Sequence, residues 1–447
     1  MAVESAALGR DSFQLRSRDT TLGREIVAGI STYLSLAYIF IVNPSILSGA
    51  HMNGSAVLFA TAIASGLATI AMGIWANLPF AVAPGLEMSG FFVFAVVGAL
   101  GLSWQDALGT VFWSGVLCVV MTVLPVRQRI IDSIPSGLKI NIGVSVGIFV
   151  ATIGLFLAKI LAFHDGLPDL ANIHLQALTS VQALIMYSTF AVAFVLGVKP
   201  LRFRGSMLVA IVVGALLCRL FAITSDQTAR FSSDMFLAVG QAHIFSVLAN
   251  PHFAMVTLVF FIVDFYGGIG KFIGLTAATS IQSQGKIPNI GRALYVDGFA
   301  TIGGSLLGTS SLIAFVESSV GIAAGGRTGI TAIVCGILML ASLLFTPLVG
   351  LVPTAATSGV LLYVGWLLLP IKQFRQEPDL FGAFDLVIAV VMAVLTLVTF
   401  ALDKSLLVGF VLYTGREVLT RRRFDPFLIT TTLILALSVV VQYAKLF

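Results

Sequence analysis

Charge is what this chain has least of: only 10% of its 447 residues are Asp, Glu, Lys or Arg, against about a quarter in an ordinary soluble chain. So few charges exclude a large water-soluble domain and must be confined largely to loops. Cysteine is also sparse. Cys118, Cys218 and Cys335 lie in three separate apolar stretches with no CxxC pair, which excludes a disulfide framework and a thiolate metal centre. His51, His164, His174, His243 and His252 fall at or near segment ends without metal-ligand spacing, so no metal and no cofactor is expected. HExxH and the GxxxxGK[ST] phosphate loop are missing, the one GxSxG match, GVSVG (143–147), falls inside the apolar run 139–162 rather than at a turn, and the glycine-rich IAAGGRTG (322–329) lacks the phosphate-loop spacing. An enzyme is therefore not expected. Nor is there a groove-sized basic helix or an aromatic-basic interleaving, which removes nucleic acid as a partner.

What is abundant is hydrocarbon. Apolar residues make up 58% of the chain and mean hydropathy is +1.03, so the expected partner is a lipid bilayer. With roughly 20 apolar residues per crossing, there is room for about fourteen spans. Apolar runs fall at 24–46, 56–78, 81–99, 106–125, 139–162, 180–198, 205–222, 253–276, 293–308, 310–323, 328–349, 354–371, 383–401 and 404–416. A further run at 427–446 has no settled placement. The polar first 22 residues lack the layout of a cleaved signal and are expected to form a cytoplasmic arm. An inside N-terminus puts Arg127, Arg129, Lys139, Lys199, Arg202, Arg204, Lys286, Arg292, Arg327 and Lys372 on inward loops. The long outward loops 163–179 and 223–250 hold only Arg230. This asymmetry, with the net charge of +5, is the positive-inside pattern of a bacterial inner-membrane protein.

Two runs do not read as continuous helices. The third, NLPFAVAPGLEMSGFFVFAVVGALG, has Pro79, Pro84, Gly85 and Gly90 in its first half. The tenth, GGSLLGTSSLIAFVESSVGIAAGG, is bracketed by glycines and opens on Thr309, Ser310 and Ser311. Unwound backbone at membrane depth is tolerated only where protein or a water-lined cavity satisfies its amides, and paired interrupted spans point to a transporter's binding site. They lie seven spans apart, an odd number, so a seven-plus-seven repeat is inverted and brings them together near the midplane.

Glu87 in the third run, Asp264 and Lys271 in the eighth and Glu317 in the tenth stand out against this background. An ionised side chain at a helix centre costs about 2.5–3.5 kcal/mol even on lenient scales, so each of these is expected to be paired, protonated or in use. A carboxyl at a gated site, losing and regaining a proton as water enters and leaves, is a proton-coupling device; Glu87, Asp264 and Glu317 are the candidates. Lys271 is a charge partner for Glu87 or Asp264. A channel or anion uniporter drawing its ligand to Lys271 is the competing account, and the carboxyls beside it argue against an anion.

The stretches AGISTYLSLAYIFIVNPSIL (28–47), NLPFAVAPGLEMSGFFVF (77–94), RQRIIDSIPSGLKINIGVSVGIFVATIGL (127–155), VDFYGGIGKFIG (263–274), LLGTSSLIAFVESSVGIAAGGRTGIT (306–331) and VPTAATSGVLLYVG (352–365) together resemble the purine-transporting, AzgA-like branch of the nucleobase cation symporter-2 family. The likeness runs from about residue 20 to 420. It implies an all-α polytopic fold of fourteen segments in two inverted repeats of seven, with short antiparallel strands in segments three and ten. After the arm at 1–22 it implies a core domain from 23–126 and 250–350 and a gate domain from 127–249 and 351–424, with 425–447 as an extra apolar segment; a homodimer stays open.

The resemblance further implies secondary active transport of a purine nucleobase or related nitrogen heterocycle, with a proton, by elevator-type movement of core against gate. It implies that Asp264 and Glu317 hydrogen-bond the ring. Phe315 and Phe91 would line its faces. Departures cluster at the same place: Glu87, Ser89, Gly267, Gly268 and Lys271 stand where the family has Gly, Asn, Asp, Thr and Thr. The expectation is a nitrogen heterocycle bound through a redrawn set of donors and acceptors at Glu87, Ser89 and Gly267.

Overall fold

The computed structural model describes residues 13–124, 135–164, 167–168, 175–198, 201, 203–224, 232–249, 251–276, 288–349, 351–369, 382–400, 402–420 and 425–444. Of the cations expected to set orientation, Arg127, Arg129, Lys199, Arg202, Lys286 and Lys372 lie outside the described residues, as does Arg230. The fold is mostly helical, and its helices start where polar side chains can cap them. Thr21 accepts from the Arg24 amide at the head of α1 (Leu22–Leu36). Asn53 accepts from Ser55 and Ala56 at α3 (Gly54–Ala71), and Ser103 from Asp106 at α5 (Trp104–Val123). Such caps satisfy amides that have no partner inside the helix.

Among the described residues five helices are long and apolar enough to cross a membrane unaided: 22–50, 54–76, 104–123, 140–157 and 329–348. Others are apolar but shorter, and for 86–99 this is because the chain breaks inside its span. The first span, expected to be continuous, is itself broken. α1 ends at Leu36 and α2 (Ile39–Leu47) resumes after a turn. α2 carries Pro44 internally, which removes an amide and crowds the preceding turn toward the break at 37–38, and it ends in a 3-10 turn at Ser48–Ala50.

Both expected breaks are present. Segment two ends on Asn77 in the left-handed region, φ 52°. The chain then forms β1 (Val82–Pro84), a short α4 (Leu86–Gly90) and a π-helical continuation through Phe91–Ala99. On the other side, α10 (Ile290–Leu307) ends on Gly308, φ 102°, a conformation glycine adopts freely. Thr309–Ser311 lead from there into β4 (Leu312–Ala314) and then α11 (Ser318–Ala323). A peripheral pair of two-residue strands, β2 (Phe163–His164) and β3 (Leu167–Pro168), lies between them in sequence.

Around the strands the helices pack in two groups. One contains α1–α5 with α9 (Pro251–Thr276), α10, α11 and α12 (Gly329–Ala341). Its largest contacts are α5 on α10, α3 on α12 and α1 on α12. The second contains α6 (Ser136–Leu157), α7 (Val181–Gly197), α8 (Ser206–Leu220), α13 (Ser358–Leu368), α14 (Ala383–Thr399) and α15 (Leu402–Thr420). The groups meet more thinly, where α4 and α9 touch α6 and α8 touches α1. Within the first group, α3 crosses α12 at Gly66 and Gly336, and α5 crosses α10 at Gly115 and Gly298. A methyl on Gly336 would lie 2.7 Å from the Gly66 carbonyl oxygen, and one on Gly115 3.0 Å from that of Gly298. Small residues permit such close helix approach in lipid, where packing drives association.

The last apolar run is α16 (Pro426–Ala444), packed on α15 and α9, with Thr414 and Thr432 hydroxyls 2.8 Å apart across the α15 contact. The described part of the N-terminal arm docks rather than floats. Arg18 donates to the carbonyls of Asn77 and Arg327 (2.9 and 2.8 Å), and Thr20 to that of Gly325. Buried Glu25 accepts from the Arg327 and Thr328 amides and the Thr331 hydroxyl.

Candidate functional site

β1 and β4 pair antiparallel in the register Val82↔Ala314, Ala83↔Ile313, Pro84↔Leu312, and all six residues are buried. The ladder is extended by Gly85 N–H to Ser311 O (3.0 Å) and Phe315 N–H to Ala81 O (2.9 Å). Two strands leave two unpaired edges, which cannot remain bare at membrane depth. One threonine closes each edge. The Thr69 hydroxyl of α3 accepts from Val82 N–H (2.9 Å) and donates to Val82 O (3.1 Å). The Thr301 hydroxyl of α10 does the same for Leu312, at 3.2 and 3.0 Å. Ser318 Oγ accepts the Ala81 amide at 2.9 Å.

The charged residues singled out in the sequence gather around this pair. Lys271 Nζ donates to Glu87 Oε1 at 2.8 Å, with side chains 15% and 8% exposed, so the two departures from the family pattern are one ion pair. Asp264, on α9, accepts from the Ser311 hydroxyl through Oδ2, and no described protein group donates to its Oδ1. Glu317, at the head of α11, accepts from the Tyr38 hydroxyl at 2.6 Å while its backbone carbonyl takes Ser35 Oγ at 3.3 Å. Glu87 and Asp264 are buried, whereas Glu317 and Lys271 keep partial exposure. The carboxylates can therefore accept ring or exocyclic N–H groups from a planar solute, most directly at Glu317.

Ser89 sits deeper. Its hydroxyl donates to Asn43 Oδ1 and lies against Ser310 Oγ, both at 2.6 Å, and Asn43 Nδ2 in turn reaches Thr61 and Thr309. This fully buried network ties segments one, two, three and ten together. Phe91 packs edge-on to Phe260, centroids 5.0 Å apart, and Phe315 is buried at the end of β4. Gly267 falls within α9, its surroundings outside the described residues.

Tyr38, Asn43, Thr69 and Thr301 are contributions that sequence reasoning missed; neutral polar residues in apolar runs carry no distinguishing signal. Asp297 was missed too, although an acid inside the run 293–308 was visible. It is 8% exposed, and no described side chain donates a hydrogen bond to either of its oxygens. No group of three or more metal-ligating side chains occurs among the described residues.

Interrupted spans, paired strands and buried acids between helices define a polytopic membrane transporter rather than an enzyme. Residues 23–405 match the family model Xan_ur_permease, described as a permease family, and the chain belongs to this family of nucleobase and ascorbate transporters. It is 36% identical to adenine permease AdeQ of Escherichia coli (strain K12), over 94% of this chain and 93% of that one. It is 33% identical to guanine/hypoxanthine permease PbuO of Bacillus subtilis (strain 168), over 90% and 93%. The fold is similar to that of the transmembrane domain of the cyanobacterium bicarbonate transporter BicA, with a TM-score of 0.67 at 15% identity, covering 86% of this chain and 96% of that one.

Proposed function

We propose that this protein carries a purine nucleobase, or a closely related nitrogen heterocycle, into a bacterial cell together with a proton. Adenine is the first base to test, since the relatives named above are permeases for adenine and for guanine and hypoxanthine. The observation that carries the reading is the paired-strand centre with Glu317 partly open beside it. In this reading Glu317 and Asp264 receive N–H groups of the ring, Phe91 and Phe315 shape its faces, and a carboxyl among Glu87, Asp264 and Glu317 carries the proton.

The two packing groups act as core and gate, and their thin contact suits a core that slides against the gate with the base aboard. A seven-plus-seven inverted repeat supports that reading. Glu87 and Glu317 each lie five residues past the start of their strands, and Thr69 and Thr301 close their edges in the same way. The glycine crossings of α3 with α12 and of α10 with α5 are a further matched pair. In this reading the N-terminus lies inside, which Arg204, Arg292 and Arg327 on the expected inward loops support under the positive-inside rule.

The test is uptake of labelled adenine, guanine and hypoxanthine into proteoliposomes under an imposed inward proton gradient. Accumulation that collapses with an uncoupler is the expected result. No accumulation of any base above the uncoupler control would falsify coupled transport. Currents without organic solute would favour the anion pathway suggested by Lys271, which its ion pair with Glu87 already disfavours.

A further inference from the structure

The described side chains around the paired strands include four acids, Glu87, Asp264, Asp297 and Glu317, and one amine, Lys271, which is committed to Glu87. Glu317 has the Tyr38 hydroxyl and partial exposure. Asp264 and Asp297 are left, and they line one cavity between α5, α9, α10 and β4, to which Cys118, Thr122 and Thr301 also contribute. None of Glu87, Glu317 or Lys271 lines it. The hydroxyls at its wall are turned to backbone: Thr122 donates to the Cys118 carbonyl and Thr301 serves Leu312. The Ala314 amide is the backbone donor turned toward Asp297. The charged or titratable groups facing Asp297 are Asp264 and Lys271 from α9 and Cys118 from α5.

A buried carboxylate with few or no donors is far costlier than a buried neutral acid, and two carboxylates side by side repel when both are ionised. A carboxyl sharing a water-sized cavity with Asp264, the acid at the strand edge, is placed to exchange a proton with it. We propose that Asp297, with Asp264, forms the site that holds the coupling proton during transport, in this cavity rather than at Glu87 or Glu317. The proton binds one carboxylate oxygen of the pair from water on the outer side and leaves to water on the inner side. No other bond changes. The inference rests on proton-coupled transport as proposed above and names the carrier.

The decisive variant is Asp297→Asn, which keeps the shape and cannot carry a proton. In proteoliposomes with adenine inside and labelled adenine outside, and no gradient, its exchange rate should stay within about threefold of wild type. Under an inward gradient of one pH unit, worth about tenfold accumulation for one proton, the wild type should concentrate adenine while Asp297→Asn merely equilibrates. Base-driven proton uptake, followed with an internal pH dye, should vanish. Asp297→Glu should retain coupling. An Asp297→Asn protein that concentrates adenine like the wild type, with the same proton-to-base ratio, overturns the proposal and leaves coupled transport intact. A wild type without gradient-driven accumulation overturns both.

Should the asparagine variant not fold, the wild type itself provides the test. An apolar carbodiimide, which reacts with protonated carboxyls, should modify Asp297 or Asp264 and uncouple transport, with labelling falling as pH rises. Absence of label at both residues overturns the assignment.

Discussion

The halves of the strand pair occupy matching positions and hold their glutamates in opposite ways. In β1–α4, Glu87 is buried and its Oε1 is bound 2.8 Å from the ammonium of Lys271. In β4–α11, Glu317 takes a neutral partner, the Tyr38 hydroxyl, at 2.6 Å, and stays partly exposed. The lesson is that equivalent placement in the chain does not fix a residue's task; the partner does. A carboxylate paired with an ammonium keeps acceptor sites but with its charge partly neutralised, so it is a weaker acceptor for a neutral base than one held by a single hydroxyl, which keeps its full charge for ring N–H groups.

The comparison breaks most visibly if the ion pair is dismantled. Lys271→Thr leaves Glu87 charged and buried and should cost about 3–5 kcal/mol of stability, read as a lower midpoint in thermal unfolding of the purified protein. Adding Glu87→Gly should recover most of that loss. Simple addition of the two effects would show that the residues are not coupled. A smaller effect is expected at the strand edges, where the two halves should behave alike. Thr69→Val and Thr301→Val each strand a buried amide and carbonyl and should each cost about 1–3 kcal/mol, measured the same way. Markedly unequal losses would mean that one strand is held by something other than its threonine.

The sequence exposed the frame of this comparison and hid its details. Proline and glycine in span three, and the flanking glycines with Thr309–Ser311 in span ten, announced the breaks, because proline removes a helix amide and glycine is a poor helix former. The antiparallel strands came only with the family resemblance, since three residues are too few to show a period. Glu87 and Lys271 lie 184 positions apart, yet each needed a partner in hydrocarbon, so an ion pair of Lys271 with Glu87 or Asp264 was foreseeable by chemistry alone, and the fold selects Glu87. Tyr38 and the Asn43–Ser89 network were not, because a hydroxyl or amide in an apolar run is common and its partners depend on how the spans fold together. Ser89, expected beside the base for its position in the motif, instead ties segment three to Asn43 and Ser310.

Equilibrium binding of adenine to three purified proteins, by calorimetry, tests the central claim most directly: wild type, Glu317→Gln, and the double variant Glu87→Gly with Lys271→Thr. If Glu317 receives the base and Glu87 is occupied by its lysine, Glu317→Gln loses about 1.5–3 kcal/mol, roughly 10- to 150-fold in affinity. The double variant then stays within a few-fold of wild type. Wild-type affinity in Glu317→Gln, with binding abolished in the double variant, would reverse the assignment of the two glutamates.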